Sequence, residues 1–381
     1  MNILFFSANE VIKEAGGVEN VTAFWYDYFK ANGINVYILF WKKNSKLSSV
    51  IPQEQLPDKY NCNSDLNILF VLNYLKENKI GFVINQNGVN TSISRFCVSV
   101  CNKAKVKLIS VIHNSPDYVL YTLPFATLLS KSPIFKSILM TSLKIFQKYG
   151  NKRGRYIYKN SFAVVLLSEK YRDIYIDYYL RSYDDASKIK VIHNPMTILN
   201  GNNNSVVNSK NILFVGRLSK QKSVIRLLRI WRRIVIKHSD WNLYIVGDGT
   251  ERSRLENFVV CEKINNVFFE GFTDPSTFYL QSSIFCMTSQ YEGFPMVLIE
   301  ALSYGLIPVI YNSFAASSDI VCDNINGFLI DNGNQEEFIN KLDVLIENEL
   351  LREEFSGQCI KKAMNWNPDL IFKQWMSLFE M

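Results

Sequence analysis

A chain of 381 residues exceeds what one ordinary core organises and suits two domains of roughly 150–200 residues each. Hydrophobic residues at 48% and charged residues at 20% exclude a disordered or fibrous chain, and no run reaches the roughly 18 apolar residues of a membrane-spanning helix. The net charge of +7 is localised: eight Lys and Arg with no acidic residue lie between Lys131 and Lys159, which leaves the remainder nearly neutral. In chain order, Met1-Asn2-Ile3-Leu4-Phe5-Phe6 lacks a basic leader segment and passes straight into a strand, so no secretory signal is expected. Apolar runs at Ile3–Ser7, Val36–Phe40, Gly81–Ile84, Leu108–Ile112, Ala163–Leu167 and Lys190–Ile192 read as buried strands. Between the first two, Val18–Asn32 reads as a helix that opens past Gly16-Gly17 and stops at Gly33.

The run Asn200-Gly201-Asn202-Asn203-Asn204-Ser205 cannot fill a core and reads as a linker. The α/β pattern then restarts, with strands at Asn211–Val215, Leu243–Val246, Val267–Phe269, Ile284–Met287, Ile307–Ile310 and Gly327–Ile330 and a helix at Ser223–Lys237. An amphipathic helix over 366–381 closes the chain. The fold class is therefore α/β with two Rossmann-like domains, residues 1–196 joined by 366–381, and residues 197–365. Seven scattered cysteines with no C-x-x-C spacing speak against metal or disulfide frameworks and for a reducing cytosol, most of them as small buried hydrophobes.

Two stretches carry chemistry. In Phe214-Val215-Gly216-Arg217-Leu218-Ser219-Lys220-Gln221-Lys222 a strand ends at a glycine, two cations follow five residues apart and a helix begins. A diphosphate needs that combination of positive charge and free helix N–H groups, although Arg217 and Lys222 also fit ordinary solvated charges. In Glu292-Gly293-Phe294-Pro295-Met296-Val297-Leu298-Ile299-Glu300 two carboxylates stand eight residues apart, the first in a Gly/Pro loop, the second about two turns into a helix. Glu292 suits sugar hydroxyls and Glu300 a ribose diol; alternatively Glu292 is a helix-start carboxylate and Glu300 a surface charge. The apolar neighbours of Glu300 make an idle charge awkward.

The E-G-F-P start with Glu-x7-Glu, preceded by F-V-G-R-L-S-x-x-K, resembles the retaining GT-B glycosyltransferases of the family-4 type, which include bacterial lipopolysaccharide, capsule and O-antigen enzymes. Gly16-Gly17-Val18-Glu19, Val246-Gly247-Asp248-Gly249, Phe269-Glu270-Gly271-Phe272 and Asn326-Gly327-Phe328-Leu329 fall where that family has comparable segments. The resemblance implies two domains facing across a cleft, with the terminal helix crossing back to the first. It implies a donor site of Gly16, Gly17, Gly216, Arg217, Lys222, Gly249, Phe272, Glu292, Gly293, Phe294, Pro295, Val297 and Glu300, with Glu292, His113, Arg217 and Lys222 in catalytic roles. His113, which ends a strand, contacts in that reading the transferring sugar or its phosphate; a satisfied structural histidine is the alternative. His193 reads as structural and His238 as a helix cap. Two departures stand out: Ser223 follows Lys222 where relatives often have glycine, and Phe314-Ala315-Ala316-Ser317-Ser318-Asp319 replaces a common Gly-Gly stretch.

The implied activity is metal-independent, retaining transfer of a hexose or N-acetylhexosamine from a nucleotide-diphosphate sugar, UDP-linked first and GDP-mannose second. No cofactor is expected beyond this co-substrate. The acceptor implied is a saccharide on a polyprenyl diphosphate at the inner face of the cytoplasmic membrane, in surface polysaccharide biosynthesis, with the enzyme cytoplasmic and peripheral. Lys136, Lys144, Lys148, Lys152, Arg153 and Arg155 suit that anionic surface, flanking an apolar stripe of Phe135, Ile138, Leu139, Leu143, Phe146 and Tyr149. A core stripe with a solvated basic face explains the same pattern. No module for nucleic acid accompanies the patch. Gly247-Asp248-Gly249 lacks the third glycine of a dinucleotide fingerprint, and no P-loop or metal-binding D-x-D occurs. A nucleotide-sugar epimerase, a phosphorylase and a non-catalytic sugar- or membrane-binding module remain the rival classes.

Overall fold

The computed structural model describes residues 1–13, 16–43, 49–88, 91–116, 152–180, 186–198 and 207–381. The amphipathic stretch 118–149, with Lys136, Lys144 and Lys148, and the polar run 200–205 lie outside the described residues. The described chain divides into two units, Met1–Asn194 with Lys373–Met381, and Pro195–Phe372. The returning stretch is thus shorter than the terminal helical pattern. Trp366 belongs to the second unit, where its carbonyl accepts from the Met196 amide at 2.9 Å and its ring meets Phe294.

The first unit is one parallel sheet. Its strands are β1 (Asn2–Asn9), β2 (Asn35–Lys42), β3 (Glu54–Gln55), β4 (Phe82–Asn85), β5 (Lys107–Ile112), β6 (Ala163–Leu166) and β7 (Ile189–Val191), in the order β3-β2-β1-β4-β5-β6-β7. Ile3, Leu4, Phe5 and Phe6 are all buried, as an unbroken apolar run must be when helices cover both faces. Register places Ile3 opposite both Val36 and Phe82. The helix Gly17–Ala31 returns the chain from β1 to β2 and ends with Gly33 at φ +78, the left-handed position that a glycine adopts without strain. Phe29 of that helix packs against Phe5, Trp25, Trp375 and Phe379, the last two supplied by the terminal helix Pro368–Glu380. The two-residue β3 is polar, so no alternation betrays it.

In the second unit the strands are β8 (Asn211–Val215), β9 (Asn242–Val246), β10 (Val267–Gly271), β11 (Ile284–Met287), β12 (Ile307–Asn312) and β13 (Phe328–Asp331), all parallel, in the order β10-β9-β8-β11-β12-β13. The helix Val224–Lys237 turns Leu227, Leu228, Trp231, Ile234 and Val235 into the core and its arginines outward. Arg352 is a charged residue in this interior. It is buried, and its guanidinium donates to the carbonyls of Val207, Leu345 and Ile346, the last two at the end of the helix Gln335–Glu347. A cation there meets the negative end of the helix dipole. Five of the seven cysteines are buried, and burial pushes the thiols of Cys62 and Cys101 up to about 11 and about 12.

Candidate functional site

Each sheet reverses its strand order once, between β1 and β4 and between β8 and β11. At such a point adjacent loops leave the carboxyl ends of the strands in opposite directions and open a crevice for a ligand. The sequence motifs fall at these two places.

At the second sheet, Gly216 follows β8 and Arg217 is exposed beside it. The turn 216–223 is sewn to the loop leaving β11. The Gln290 amide donates to the Gln221 carbonyl at 2.8 Å, Gln221 Nε2 to the Tyr291 carbonyl at 3.0 Å, and Thr288 Oγ1 to the Ser223 carbonyl at 3.2 Å. These ties bring Lys222 Nζ to 2.7 Å from Glu292 Oε1, with side chains only 17% and 6% exposed. Ser223 then enters the helix Val224–Lys237 at φ +52, the left-handed conformation, so the departure from glycine alters the residue and keeps the backbone. Gly247 and Gly249, beyond β9, lie against this turn: a Cβ at Gly247 would meet the Gly216 carbonyl oxygen at 2.0 Å, and one at Gly249 the Leu218 carbonyl oxygen at 2.4 Å.

Pro295 precedes the helix Met296–Ser303, with Phe294 buried, Gly293 and Val297 part-buried and Pro295 itself buried. The helix begins four residues after Glu292, which places Glu300 little more than one turn in, where two turns were expected. Glu300 is 4% exposed. Its Oε1 accepts from Thr197 Oγ1 at 2.7 Å and its Oε2 from the Tyr279 hydroxyl at 3.0 Å. Burial raises the carboxyl above its ordinary range, and the two hydroxyls partly offset that. Tyr279 in turn stacks on Tyr304. Phe272, just past β10, is 67% exposed. Nothing in the sequence singled out Thr197, Tyr279, Ser289 or Ser313. The two serines follow β11 and β12 with buried hydroxyls that have no hydrogen-bond partner among the described residues, groups that a polar ligand would satisfy.

At the first sheet, Gly16 precedes the helix Gly17–Ala31, and space beside Gly17 is open. Glu19 sits in the first turn and receives a 3.5 Å contact from Asn9 Nδ2. His113, directly after β5, is part-buried, and its Nε2 lies 2.7 Å from Gln86 Oε1. Desolvation lowers its pKa to about 4, so the ring is neutral near pH 7. His193 Nδ1 sits 2.6 Å from the Leu167 carbonyl, and His238 Nε2 lies 3.0 Å from Asp343 Oδ1. Of the basic segment, Lys152 and Arg153 lie in the helix Lys152–Asn160. Arg155 in the same helix donates to the carbonyls of Tyr179 and Leu180, which commits it within the first unit. No helix among the described residues is long and apolar enough to cross a membrane, and no group of three or more His, Cys, Asp or Glu among them is placed to hold a metal ion.

This geometry has a counterpart in known proteins: residues 198–365 match the family described as Glycosyl transferases group 1. The match covers the second unit and no part of the first sheet. A 171-residue stretch is 36% identical to the amylovoran biosynthesis glycosyltransferase AmsD of Erwinia amylovora, covering 43% of this chain and 46% of that one. The chain spans about half the length of the curated relatives it matches. Over the whole chain the fold is that of the GT-B glycosyltransferases. A lipopolysaccharide outer core galactosyltransferase, WaaB, superposes with a TM-score of 0.68 at 20% identity over 99% of each chain. Anabaena Alr3699/HepE, solved in complex with UDP, superposes at 0.74 and 16% identity over all of both. The sequence reading of two Rossmann-like domains therefore holds.

Proposed function

We propose that this protein is a retaining glycosyltransferase that moves a hexose or N-acetylhexosamine from a UDP-sugar to a saccharide acceptor in surface polysaccharide biosynthesis. GDP-mannose is the second donor candidate, and the acceptor is carried on a polyprenyl diphosphate at the inner face of the cytoplasmic membrane. The observation that carries this reading is the group 1 unit with Arg217 and the Lys222–Glu292 pair at its strand switch. The polysaccharide assignment draws on the printed roles of AmsD and WaaB, and the uridine on the UDP complex of HepE.

In the proposed reaction the bond from the anomeric carbon to the β-phosphate oxygen breaks while a new bond forms to the acceptor oxygen on the same face. The departing diphosphate takes the acceptor's proton. Arg217 and Lys222 stabilise the charge that develops on it, an effect that grows in a water-poor site and needs no metal ion. Glu292 then holds Lys222 in place and offers its second oxygen to a sugar hydroxyl, while Glu300 receives the ribose diol.

The test is calorimetric titration with UDP, GDP and ADP, followed by product analysis with the donor that binds. UDP is expected to bind, and Arg217→Ala to weaken it by about 10–100-fold while the fold persists, the scale of one or two charge-assisted hydrogen bonds. Transfer is expected to continue in EDTA and to give the donor's own anomeric configuration by NMR. Inversion at the anomeric carbon refutes the mechanism; epimerisation of the donor without acceptor refutes the activity.

A further inference from the structure

The exits of β1, β4 and β5 lie side by side, with Phe6 opposite Asn85 and Asn85 opposite Ser110. The turn leaving β4 is Asn85-Gln86-Asn87-Gly88, and its polar groups are occupied in holding it. Asn87 Oδ1 accepts from the Ala8 amide at 2.7 Å, and its Nδ2 donates to the Phe6 carbonyl at 3.1 Å and to Asn85 Oδ1 at 2.8 Å. Asn85 Nδ2 donates to Ser94 Oγ, which donates to the Gly88 carbonyl at 2.7 Å. The Gln86 amide N–H donates to the Phe6 carbonyl at 3.1 Å. The turn is thereby fixed on both sides, which leaves the Gln86 carboxamide, 6% exposed, directed at the His113 ring.

We propose that Gln86 is a positioning residue that locks His113 in the neutral Nε2–H tautomer, so that Nδ1 is presented as a hydrogen-bond acceptor to a sugar hydroxyl. A carboxamide oxygen only accepts, so a 2.7 Å approach from His113 Nε2 requires the proton on that nitrogen. A neutral ring protonated at Nε2 keeps a lone pair at Nδ1. The ring's depressed pKa of about 4 keeps it in that form at neutral pH. The lone pair decides the ligand class. A hydroxyl donates to it; a phosphate oxygen, itself an acceptor, is repelled. His113 therefore meets a saccharide and not a diphosphate. The identity of the hydroxyl rests on the glycosyltransferase reading, whereas the tautomer does not.

The chain has three histidines, so long-range nitrogen–proton NMR of the full-length protein labelled at histidine resolves each ring, with His113 assigned from a His113→Gln variant. At pH 7 the expected pattern is Nε2 protonated and Nδ1 bare. Gln86→Leu, which cannot accept, is expected to spread His113 over both tautomers, and Gln86→Glu, which can, to retain Nε2–H. In turnover, Gln86→Leu is expected to lower kcat about tenfold with the donor KM within about twofold, and Gln86→Glu to recover most of the loss. UDP-glucose or UDP-N-acetylglucosamine is expected to move the Nδ1 resonance, and UDP alone to leave it. An Nδ1–H tautomer or an imidazolium in the parent protein overturns the proposal without any variant, as does an unchanged tautomer in folded Gln86→Leu. The stated tautomer with no response to either UDP-sugar, alone or with acceptor, keeps the Gln86 role and overturns the sugar assignment that rests on the proposed function.

Discussion

Lys222 and Glu292 meet at 2.7 Å with little solvent around either, so each charge depends on the other. Lys222→Met strands a carboxylate that is 6% exposed on its side chain, and removing one partner of a buried pair costs on the order of 3 kcal/mol. Glu292→Gln still offers Lys222 an oxygen and is expected to cost about 1 kcal/mol. Urea midpoints of the two variants measure this, and equal losses would show that the pair is screened by water. Glu300 and His113 add opposite pH dependences. The Glu300 carboxyl is raised by burial above 4.5, so the folded state holds its proton more tightly, and stability falls as pH rises through that window and then levels. Glu300→Gln removes that fall and is expected to be at least as stable as the parent at pH 7, even as it weakens the ribose contact of the proposed function. The His113 ring is lowered from 6.5 to about 4, so the unfolded chain takes the proton first and stability is lost as pH falls through that range. The full effect is about 3 kcal/mol. His113→Asn should flatten the acid side by that order in unfolding curves recorded from pH 8 down to pH 4; an unchanged acid limb would mean the ring is solvated.

At the scale of elements, the β8 turn shows how much backbone a substitution can preserve. Ser223 occupies a left-handed position, which costs a residue with a Cβ roughly 1 kcal/mol that glycine does not incur. Glycine also loses more entropy on folding, so Ser223→Gly is expected to gain only about 0.5 kcal/mol. Ser223→Val, β-branched at the same φ, should lose about 2 kcal/mol. Calorimetric Tm values separate these, and a loss on Ser223→Gly would mean that the serine side chain stabilises the turn. Strands such as β8 and β11 were legible to the residue because a parallel strand covered on both faces is an unbroken apolar run. The 216–223 turn and the two glutamates stood out because their pattern is local in sequence; their ligand roles belong to the proposed function. Tyr279 and Thr197 were not: they reach Glu300 from 21 and 103 residues away, and only sheet order and helix packing bring them there. Gln86 was missed for the same reason, its partner lying 27 residues on in the neighbouring strand exit. The start of the helix at Met296 was misjudged because the apolar pattern gives its face, and Pro295 gives its first turn.

Over the whole molecule, the terminal helix ties the end of the chain to the core of the first unit. Phe379 touches Phe29 at 6.1 Å and Phe82 at 5.0 Å between ring centres, and Trp375 meets Trp25 and Phe29. Phe379→Ala leaves a hole in that aromatic cluster and is expected to cost 3–5 kcal/mol, on the order seen for buried aromatic truncations. Under the proposed function a nucleoside diphosphate binds the other unit, and at ~100 times its dissociation constant it should add about 2.7 kcal/mol there. Scanning calorimetry of the parent and Phe379→Ala, each with and without UDP, sets the two effects against each other. If each core unfolds by itself, the variant lowers one transition and UDP raises the other, and Phe379→Ala still binds UDP with parental affinity below its first transition. A single transition displaced by both would mean instead that the 373–381 return couples the two cores, so that weakening the packing of Phe379 in one unit reduces the stability of the Lys222–Glu292 site in the other.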